Sequence, residues 1–432
     1  MSSKIQYIPL EAAYDRMFSL IQTSPRVETI PTYQGYRRVL AEDIVSEVDC
    51  PPRDTAHFDG YAVRSQDTQL ASPNSPVSLK VRAVLKLGDI PSFRLEKGEA
   101  TAVPTGGPLP DGADATIMKE HARLGADSKL WIDKPVKQGE NVIPNGLDVK
   151  RGSTILPSGT TLRAQDLGLL ALIRKAEIRV TARPRIGVLS TGTELVENIE
   201  NWEPGKTVAS HTKVLAKVLE ELGAVPIELG IAPDNKETIR ATILRAIRDC
   251  DMLLTIGGSS VGSEDYVAET INASGKPGII FQGIQVHPGR LGGVGLVNNK
   301  PVVMLPGLVQ GTLVVFYALA FPIIKKLMGI GRSKKEVFME GVPFVHANMV
   351  REVKNYFYFE KFKSFKKVLF VKLRKIEQNL EAEPLLGDTS LISIVTGADG
   401  WAVIPEGKTE ISKGEQLQVY FPPGLSNFLR AA

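Results

Sequence analysis

The sequence predicts an α/β multidomain protein: a doubly wound, mostly parallel-sheet ligand-binding domain, with β-rich domains before and after it. Three observations predict this. Between residues 183 and 332, short apolar runs alternate with amphipathic stretches at helical spacing, the pattern of repeated strand–helix units. From about Val45 to Pro157, and again after Arg332, short runs instead alternate with Gly, Pro and Asp turns, as in β-rich domains. The apolar runs of the central region also end at Glu194, Asp234, the Gly257–Asp265 loop and Pro306-Gly307. Ligands of such sheets bind beyond the carboxyl ends of the strands.

The bulk properties restrict the function. With 432 residues, 43% hydrophobic and 23% charged, the chain has room for about two to four domains of ordinary globular composition. A formal charge of +4 is small for this length and gives no general case for nucleic-acid binding. Cys50 and Cys250 are the only cysteines, which points to a reduced, cytosolic protein without a disulfide framework or cysteine metal cage. The five histidines form no His-x-x-x-His pair, an argument against a zinc-hydrolase site. Met1–Gln6 lacks the apolar core of a signal peptide. Pro301–Ile324 carries no charge, but Pro306, Gly307, Gln310, Gly311 and Pro322 interrupt it. It therefore reads as a buried strand (Val302–Leu305), a turn and a buried helix (Thr312–Phe321), not a membrane span.

The elements follow in order. Pro9–Ile21 has helical spacing, with Leu10, Ala13, Met17 and Leu20 on one side. Val77–Val81 and Ala115–Met118 are strands of the β-rich region, and Ala164–Ile173 returns to a helical pattern. After Arg183-Pro184-Arg185 come the strand Ile186–Leu189 and a helix from about His211 to Leu222, stopped at Gly223. The strand Pro226–Leu229, a helix Lys236–Arg248 and the strand Asp251–Leu254 complete the repeat. The implied domains are 1–47 with 158–182 (N-terminal α/linker), 48–157 (β-rich), 183–332 (α/β, ligand-binding) and 333–432 (C-terminal β).

The most informative segment is Thr255–Asp265. Gly257 and Gly258 permit positive φ and a close approach of the backbone to a ligand. Ser259, Ser260, Gly262 and free N–H groups offer a phosphate cradle where the next helix begins. Asp265 sets a carboxylate beside that phosphate, an arrangement that favours a divalent cation between them. Taken alone, a Gly-Gly-Ser loop is better explained as a plain strand-to-helix turn. The convergence of the neighbouring strand ends raises the site reading above it.

These pieces, in this order, resemble the molybdopterin molybdenumtransferase family (molybdenum cofactor biosynthesis protein A-like, gephyrin E-domain-like). The resemblance is carried by Arg38–Ile44, Asp59-Gly60-Tyr61-Ala62-Val63, Pro104–Ala115, Gly139-Glu140-Asn141 with Gly146 and Asp148, Ser190–Leu195, Gly257–Asp265, Gly387–Ser390 and Ile404–Gly407. It spans nearly the whole chain and fades after Arg332. It implies an elongated homodimer of four subdomains, the last β-barrel-like, with the site formed between two chains. It also implies insertion of molybdate (or tungstate) into adenylylated molybdopterin, with release of AMP and help from Mg²⁺.

By the same resemblance, Glu194, Asp234 and Asp265 match acidic positions near the metal and the pterin phosphate, with Glu194 and Asp265 as metal ligands. Thr191 and Gly192 lie in the matching strand-end motif, and Pro306 and Gly307 in another. Asp59 and Thr105 match positions that reach the site from the β-rich domain, and Ser390 matches a serine near the cleft. Plainer readings stand beside these: a helix cap for Glu194, turns at Asp234, Asp59 and Thr105, and a turn hydroxyl at Ser390.

The departures from the family pattern fall at the site. His287-Pro288-Gly289-Arg290-Leu291 stands where Lys-Pro-Gly-Lys-Pro is usual, and Leu305-Pro306-Gly307-Leu308-Val309 where Leu-Pro-Gly-Asn-Pro is usual. Ser210-His211 replaces Ser-Asn, and Ala56-His57-Phe58 replaces Ser-Ala-Met. Arg290 keeps a positive charge with a fork suited to oxyanions, so it is a candidate catalytic residue. His287 keeps charge only when protonated. Leu308 removes an amide able to recognise a pterin edge. Two functions follow: a divergent insertase, or a weak or inactive paralogue that binds molybdopterin or nucleotide as a carrier or scaffold. Arg351–Lys375 is basic and aromatic; an acidic partner or nucleic acid is one reading, a single hairpin with a solvated basic face and a packed aromatic face the favoured one.

Overall fold

The computed structural model of the chain describes residues 5–258, 266–330, 337–354 and 361–426. Two compact units are present, Thr29–Val180 and a second that combines Met1–Glu28 with Thr181–Ala432.

The Thr29–Val180 unit is built on a six-stranded sheet. Its strands lie in the order Ala115–Met118, Gly60–Val63, Glu99–Val103, Val77–Val84, Lys129–Ile132, Ala122–Leu124. Neighbours are antiparallel except for the parallel pair Val77–Val84 and Glu99–Val103. Alternate residues of these strands (Val63, Leu79, Ala100, Ile117, Leu130, Ile132) meet in one core. A second core gathers Leu40, Ile44, Leu162, Leu170 and Ile178 around the helix Ala164–Leu172.

In the other unit, helix α1 (Leu10–Leu20) buries Leu10, Ala13, Tyr14 and Met17. Leu20, expected on that face, is exposed. The chain leaves the helix at Ile21, whose extended backbone carries that residue into the core in its place. The α/β layer contains strands β1 (Arg185–Thr191), β2 (Val225–Ala232), β3 (Met252–Ile256), β4 (Gly278–Gln282), the short β5 (Val286–His287), β6 (Gly293–Val297) and β7 (Lys300–Leu305). Six of them form one sheet in the order β2-β1-β3-β7-β6-β4. The first four are parallel; β6 runs antiparallel to β7, and β4 pairs antiparallel with β6 at the edge. Helices α2 (Ser210–Glu221), α3 (Lys236–Asp249) and α4 (Tyr266–Ala273) connect and cover them. Helix α2 stops where Gly223 takes φ +86°, and Asn235 caps α3 by accepting from Thr238 N–H. Leu189, Ile239, Ile243, Leu253, Val267 and Met304 form the core between sheet and helices.

The chain leaves β1 for its neighbour β2 and returns to β3 on the other side of β1, so the strand order reverses between β1 and β3. That reversal is the topological switch point of a doubly wound sheet. The parallel register pairs Thr191 with Ala232, Ser190 with Ile256, and Ile256 with Leu305, so four strands end at one level.

The charge-free run continues into one helix, α5 (Val309–Leu327), three residues earlier and six later than the sequence predicts. Pro322 lies inside it, preceded by a π turn at Phe316–Ala320. The widened turn accommodates a residue that has no N–H to donate and a ring that crowds the previous turn. Among the described residues α5 is the one helix long and apolar enough to cross a membrane, and 83% of its apolar window is buried inside the protein.

The C-terminal strands β8 (Phe344–Met349), β9 (Lys366–Ile376), β10 (Asn379–Pro384), β11 (Gly400–Ile404) and β12 (Gln416–Tyr420) close on themselves in the order β9-β10-β8-β12-β11-β9. Met349, Leu369, Val371, Ala382, Ala402 and Val419 fill this barrel. Strand β5 adds to its rim, pairing Val286 and His287 with Lys366 and Lys367. The single-hairpin reading of Arg351–Lys375 is corrected here. Val353 bridges to Ile411, and β9 pairs with both β10 and β11 as a central barrel strand. Residues Tyr356–Phe359 lie outside the described residues. The basic face is partly neutralised, by Lys366 with Glu11 and Glu406 and by Arg374 with Glu383, and Lys367 is buried.

Candidate functional site

The level strand ends at the switch point bring together Thr191–Glu194, Asp234, Gly257–Gly258 and Pro306–Gly307. Gly192 N–H donates to Ala232 O at 3.1 Å, and Gly257 N–H to Leu305 O at 3.0 Å, so the sheet's hydrogen bonding extends one residue past each strand. Gly257 and Gly258 adopt φ +87° and +64°, the positive values the sequence predicts. Their space is taken by protein. A Cβ on Gly257 would meet Thr191 O at 2.8 Å, and one on Gly258 would meet Val267 at 2.8 Å and the Thr191 hydroxyl at 2.9 Å. Buried Thr191 therefore seats the loop, and only glycine fits against it. Ser259, Ser260, Gly262 and Asp265 lie outside the described residues.

Asp234 is a brace between loops. Its Oδ2 accepts from Thr193 N–H at 3.0 Å and Thr193 Oγ1 at 3.3 Å, and its own N–H donates to Thr193 Oγ1 at 3.2 Å. This ties the β1 end to the β2 end. Glu194 follows at once; it is exposed, and both carboxylate oxygens lie 2.7 Å from where a Gly192 Cβ would stand. Helix α2 begins only at Ser210, so Glu194 caps no helix start, which removes the plainer reading. His211, in the first turn of α2, is held below its ordinary pKa by burial.

The turn Pro306-Gly307 leads into α5, whose early N–H groups lack partners within the helix. Gln310 uses one of them: its N–H donates to Thr389 O at 3.3 Å. Its side-chain amide donates to Asp388 O at 2.9 Å and Leu391 O at 3.4 Å. The loop Gly387–Leu391, between β10 and β11 of the barrel, is thereby fastened beside the strand ends. Ser390 stands in that loop, where its N–H and hydroxyl both donate to Asp388 Oδ1, at 2.9 and 2.6 Å. These bonds hold the Asp388 carboxyl below its usual range and leave the Ser390 oxygen as an acceptor.

The His287–Leu291 segment is adjacent: a Cβ on Gly311 would lie 3.4 Å from Pro306 and 3.6 Å from Gly289. His287 is half-buried, stacked on Phe362 with ring centroids 4.7 Å apart. Burial, helped by the cations of Arg290, Lys367 and Lys361, pulls its pKa from 6.5 down to about 4. It is therefore neutral at physiological pH. Arg290 donates from Nη1 to the Tyr7 hydroxyl at 2.5 Å and lies over the rings of Tyr7 and Phe362, 5.8 and 5.7 Å from their centroids. Its guanidinium is thus engaged by the N-terminal segment and the segment leading into the barrel.

Asp59 and Thr105 belong to the Thr29–Val180 unit and are joined to each other. Asp59 Oδ1 accepts from Thr105 N–H and from Thr105 Oγ1, both at 2.8 Å, with Lys119 Nζ 3.5 Å from Oδ2. The Thr105 bonds, then Lys119, keep this exposed carboxyl below its ordinary pKa. The replaced neighbours His57 and Phe58 stack on each other at 4.4 Å.

A divalent cation is compatible with the donors present. Among the described residues no group of three or more His, Cys, Asp or Glu is gathered to hold a metal by itself. Mg²⁺ is commonly bound through one or two carboxylates plus phosphate and water oxygens. Exposed Glu194, a hard oxygen donor at the strand-end loop, fits that pattern.

Sequence reasoning missed Gln310, Thr193 and Tyr7. The signal for Gln310 was a lone amide inside an otherwise apolar run. For Thr193 and Tyr7 no local pattern marks the partner, because each is defined by a residue remote in sequence.

Comparison with known proteins adds three family matches in chain order. Residues 8–173 match the profile described as MoeA N-terminal region (domain I and II). Residues 187–326 match the "Probable molybdopterin binding domain", and 353–421 the MoeA C-terminal region (domain IV). The chain is 29% identical to a molybdopterin molybdenumtransferase of Nostoc sp., over 96% of this chain and 94% of that protein. It is 31% identical to the molybdopterin molybdenumtransferase of Haemophilus influenzae, over 76% of this chain and 80% of the relative. The crystal structure of a molybdopterin biosynthesis MoeA protein from Pyrococcus horikoshii superposes with a TM-score of 0.84 at 31% identity, covering 96% and 99% of the two chains.

Proposed function

This chain belongs to the molybdopterin molybdenumtransferase family and is a transferase of molybdenum cofactor biosynthesis, and from that premise we propose that it inserts molybdate, or tungstate, into adenylylated molybdopterin with release of AMP. The observation that carries this reading is the level row of strand ends at the switch point of one sheet.

In this reading Thr191, Gly192 and Gly257 shape the turn, their backbone already committed to the sheet, and the loop that continues through Ser259, Ser260 and Gly262 offers the phosphate its N–H groups. Glu194 and Asp265 would hold Mg²⁺, which supplies charge screening at the phosphoanhydride oxygens. Asp234 keeps the Thr193 loop in place so that Glu194 is aimed. Pro306 and Gly307, with Ser390 from the fastened barrel loop, line the opposite side. Asp59 and Thr105 are assigned through the family motif. Arg290 is a fixed cation beside the turn, while neutral His287 offers a hydrogen bond and no charge. The four-part organisation, a homodimer and a cytoplasmic location belong to the same reading.

A second reading has its own support. His287 is uncharged, and the Arg290 guanidinium, though still a cation, already donates to Tyr7, so of the two positions where the family carries lysines only one keeps a positive charge for an oxyanion. That favours a protein which binds the pterin or nucleotide and turns over weakly.

The experiment is direct. The purified protein is given adenylylated molybdopterin, Mg²⁺ and molybdate or tungstate, and AMP release is followed with formation of active cofactor. Steady AMP release that Asp265→Ala abolishes, with the fold intact, supports the transferase reading. Tight binding without AMP release sinks it in favour of the second. Activity that survives in Asp265→Ala removes the metal assignment.

A further inference from the structure

The loop after Glu194 makes an excursion from Glu197 to Lys206 before the chain enters α2. Its two ends pair side by side, Leu195 with Thr207 and Val196 with Val208, so it leaves and returns at the same point beside the strand ends. A 3₁₀ turn at Ile199–Asn201 is closed by Trp202 N–H donating to Ile199 O, and Lys206 N–H donates to Glu203 O. The indole N–H of Trp202 donates to Lys206 O at 2.8 Å, and Lys206 Nζ donates to Thr193 O at 3.0 Å. Thr193 is the residue that Asp234 braces. A short chain of hydrogen bonds therefore links the indole to the carboxylate-bearing strand ends.

The side chain itself is unusual for a fixed aromatic. Trp202 is 55% exposed, whereas Trp401 is 2% exposed and Trp131 is half-buried. Its one polar atom is already satisfied by backbone, which fixes the indole while more than half of the residue stays open to solvent. A bare indole face costs apolar hydration and is useful where a flat partner covers it. At the root of the same excursion a cavity of about 190 Å³ opens, lined by Glu197, Ala209, Thr212, Lys213 and Gly230 among others.

We propose that Trp202 is a ligand-stacking residue: its exposed indole face covers a flat, nitrogen-rich heteroaromatic ring of the substrate bound at the strand ends. This rests on the transferase reading, whose substrate carries two such rings, a pterin and a purine; the shared chemistry is a planar heterocycle next to a phosphate. The indole contributes binding and orientation and takes no part in bond making.

The test uses the full chain with two probes, 6-hydroxymethylpterin and AMP, titrated by calorimetry and by tryptophan fluorescence, together with turnover of adenylylated molybdopterin. Stacking of a base on an aromatic side chain is worth roughly tenfold or more in affinity when removed. In Trp202→Ala one probe is expected to bind at least about tenfold more weakly, and KM for the substrate to rise with kcat little changed. Trp202→Phe keeps a ring, so it should hold affinity within a few-fold while losing most of the fluorescence quenching. The probe affected tells which ring is covered. Equal affinity of both probes for Trp202→Ala and the unaltered protein overturns the proposal, as does an equal loss in both variants, or a change confined to oligomeric state. If turnover by the unaltered protein persists in those cases, the transferase reading stands without Trp202. Failure of the unaltered protein both to bind either probe and to turn over overturns both.

Discussion

Gln310 donates its side-chain amide to the carbonyl of Asp388 at 2.9 Å, and this bond joins the first turn after Pro306-Gly307 to a loop of the C-terminal barrel. Gln310 is 5% exposed, so the amide has no water to fall back on. Gln310→Ala leaves Asp388 O and Leu391 O without that donor. The expected loss is about 1–3 kcal/mol of stability, seen as a lower urea midpoint. Hydrogen exchange should quicken at Gly387–Leu391. Unchanged exchange in that loop would mean the backbone bond from Gln310 N–H to Thr389 holds it alone.

His287 predicts an acid-dependent stability. Its folded pKa, about 4, lies below the ordinary 6.5, so the unfolded chain binds the extra proton between those values. The contribution is complete above pH 6.5 and is lost as pH falls toward 4, amounting to at most about 3 kcal/mol. His287→Gln cannot titrate. Its stability should be flatter than that of the unaltered protein across this window, as read by denaturant titrations at pH 7, 5.5 and 4.5. Parallel curves for the two proteins would refute the assignment.

The two glycine turns should respond differently to alanine. Gly258 has positive φ and no room, so Gly258→Ala should cost about 1–3 kcal/mol and disturb Thr191. Gly307→Ala should cost little, since the nearest atom to its Cβ is 3.9 Å away, at Gly257. Thermal melts of the two variants decide it, and equal destabilisation would contradict the packing described here.

Asp234 should behave as a brace. Asp234→Asn keeps an oxygen able to accept from Thr193, and should retain most turnover. Asp234→Ala removes it and should lower activity severalfold through looser placement of Glu194, with little change in global stability because the residue is exposed. If Asp234→Asn is as inactive as Asp234→Ala, the carboxylate charge itself is needed and the residue belongs to the chemistry.

Much of this protein was legible along the chain. The strands β1, β3 and β7 are apolar runs buried on both faces, and the helices between them carry an apolar stripe, so periodicity alone places them. Element ends were less legible. Leu20 sits at helical spacing yet faces solvent, because Ile21 leaves the helix and takes the buried place. Pro322 is a helix breaker by rule, but the π turn before it lets α5 continue to Leu327. In each case packing outweighed a local preference that is worth only a few kcal/mol at most.

The sequence by itself determined the order of elements, the positive-φ glycines at Gly257 and Gly258, and which residues follow each strand, because these depend on near neighbours in the chain. Only the tertiary structure decided what the polar side chains do there. Asp234 braces Thr193 across 41 positions, Arg290 turns to Tyr7 across 283, and Gln310 reaches Asp388 across 78. A hydrogen bond or a buried charge takes its role from its partner, and partners so distant are chosen by the fold.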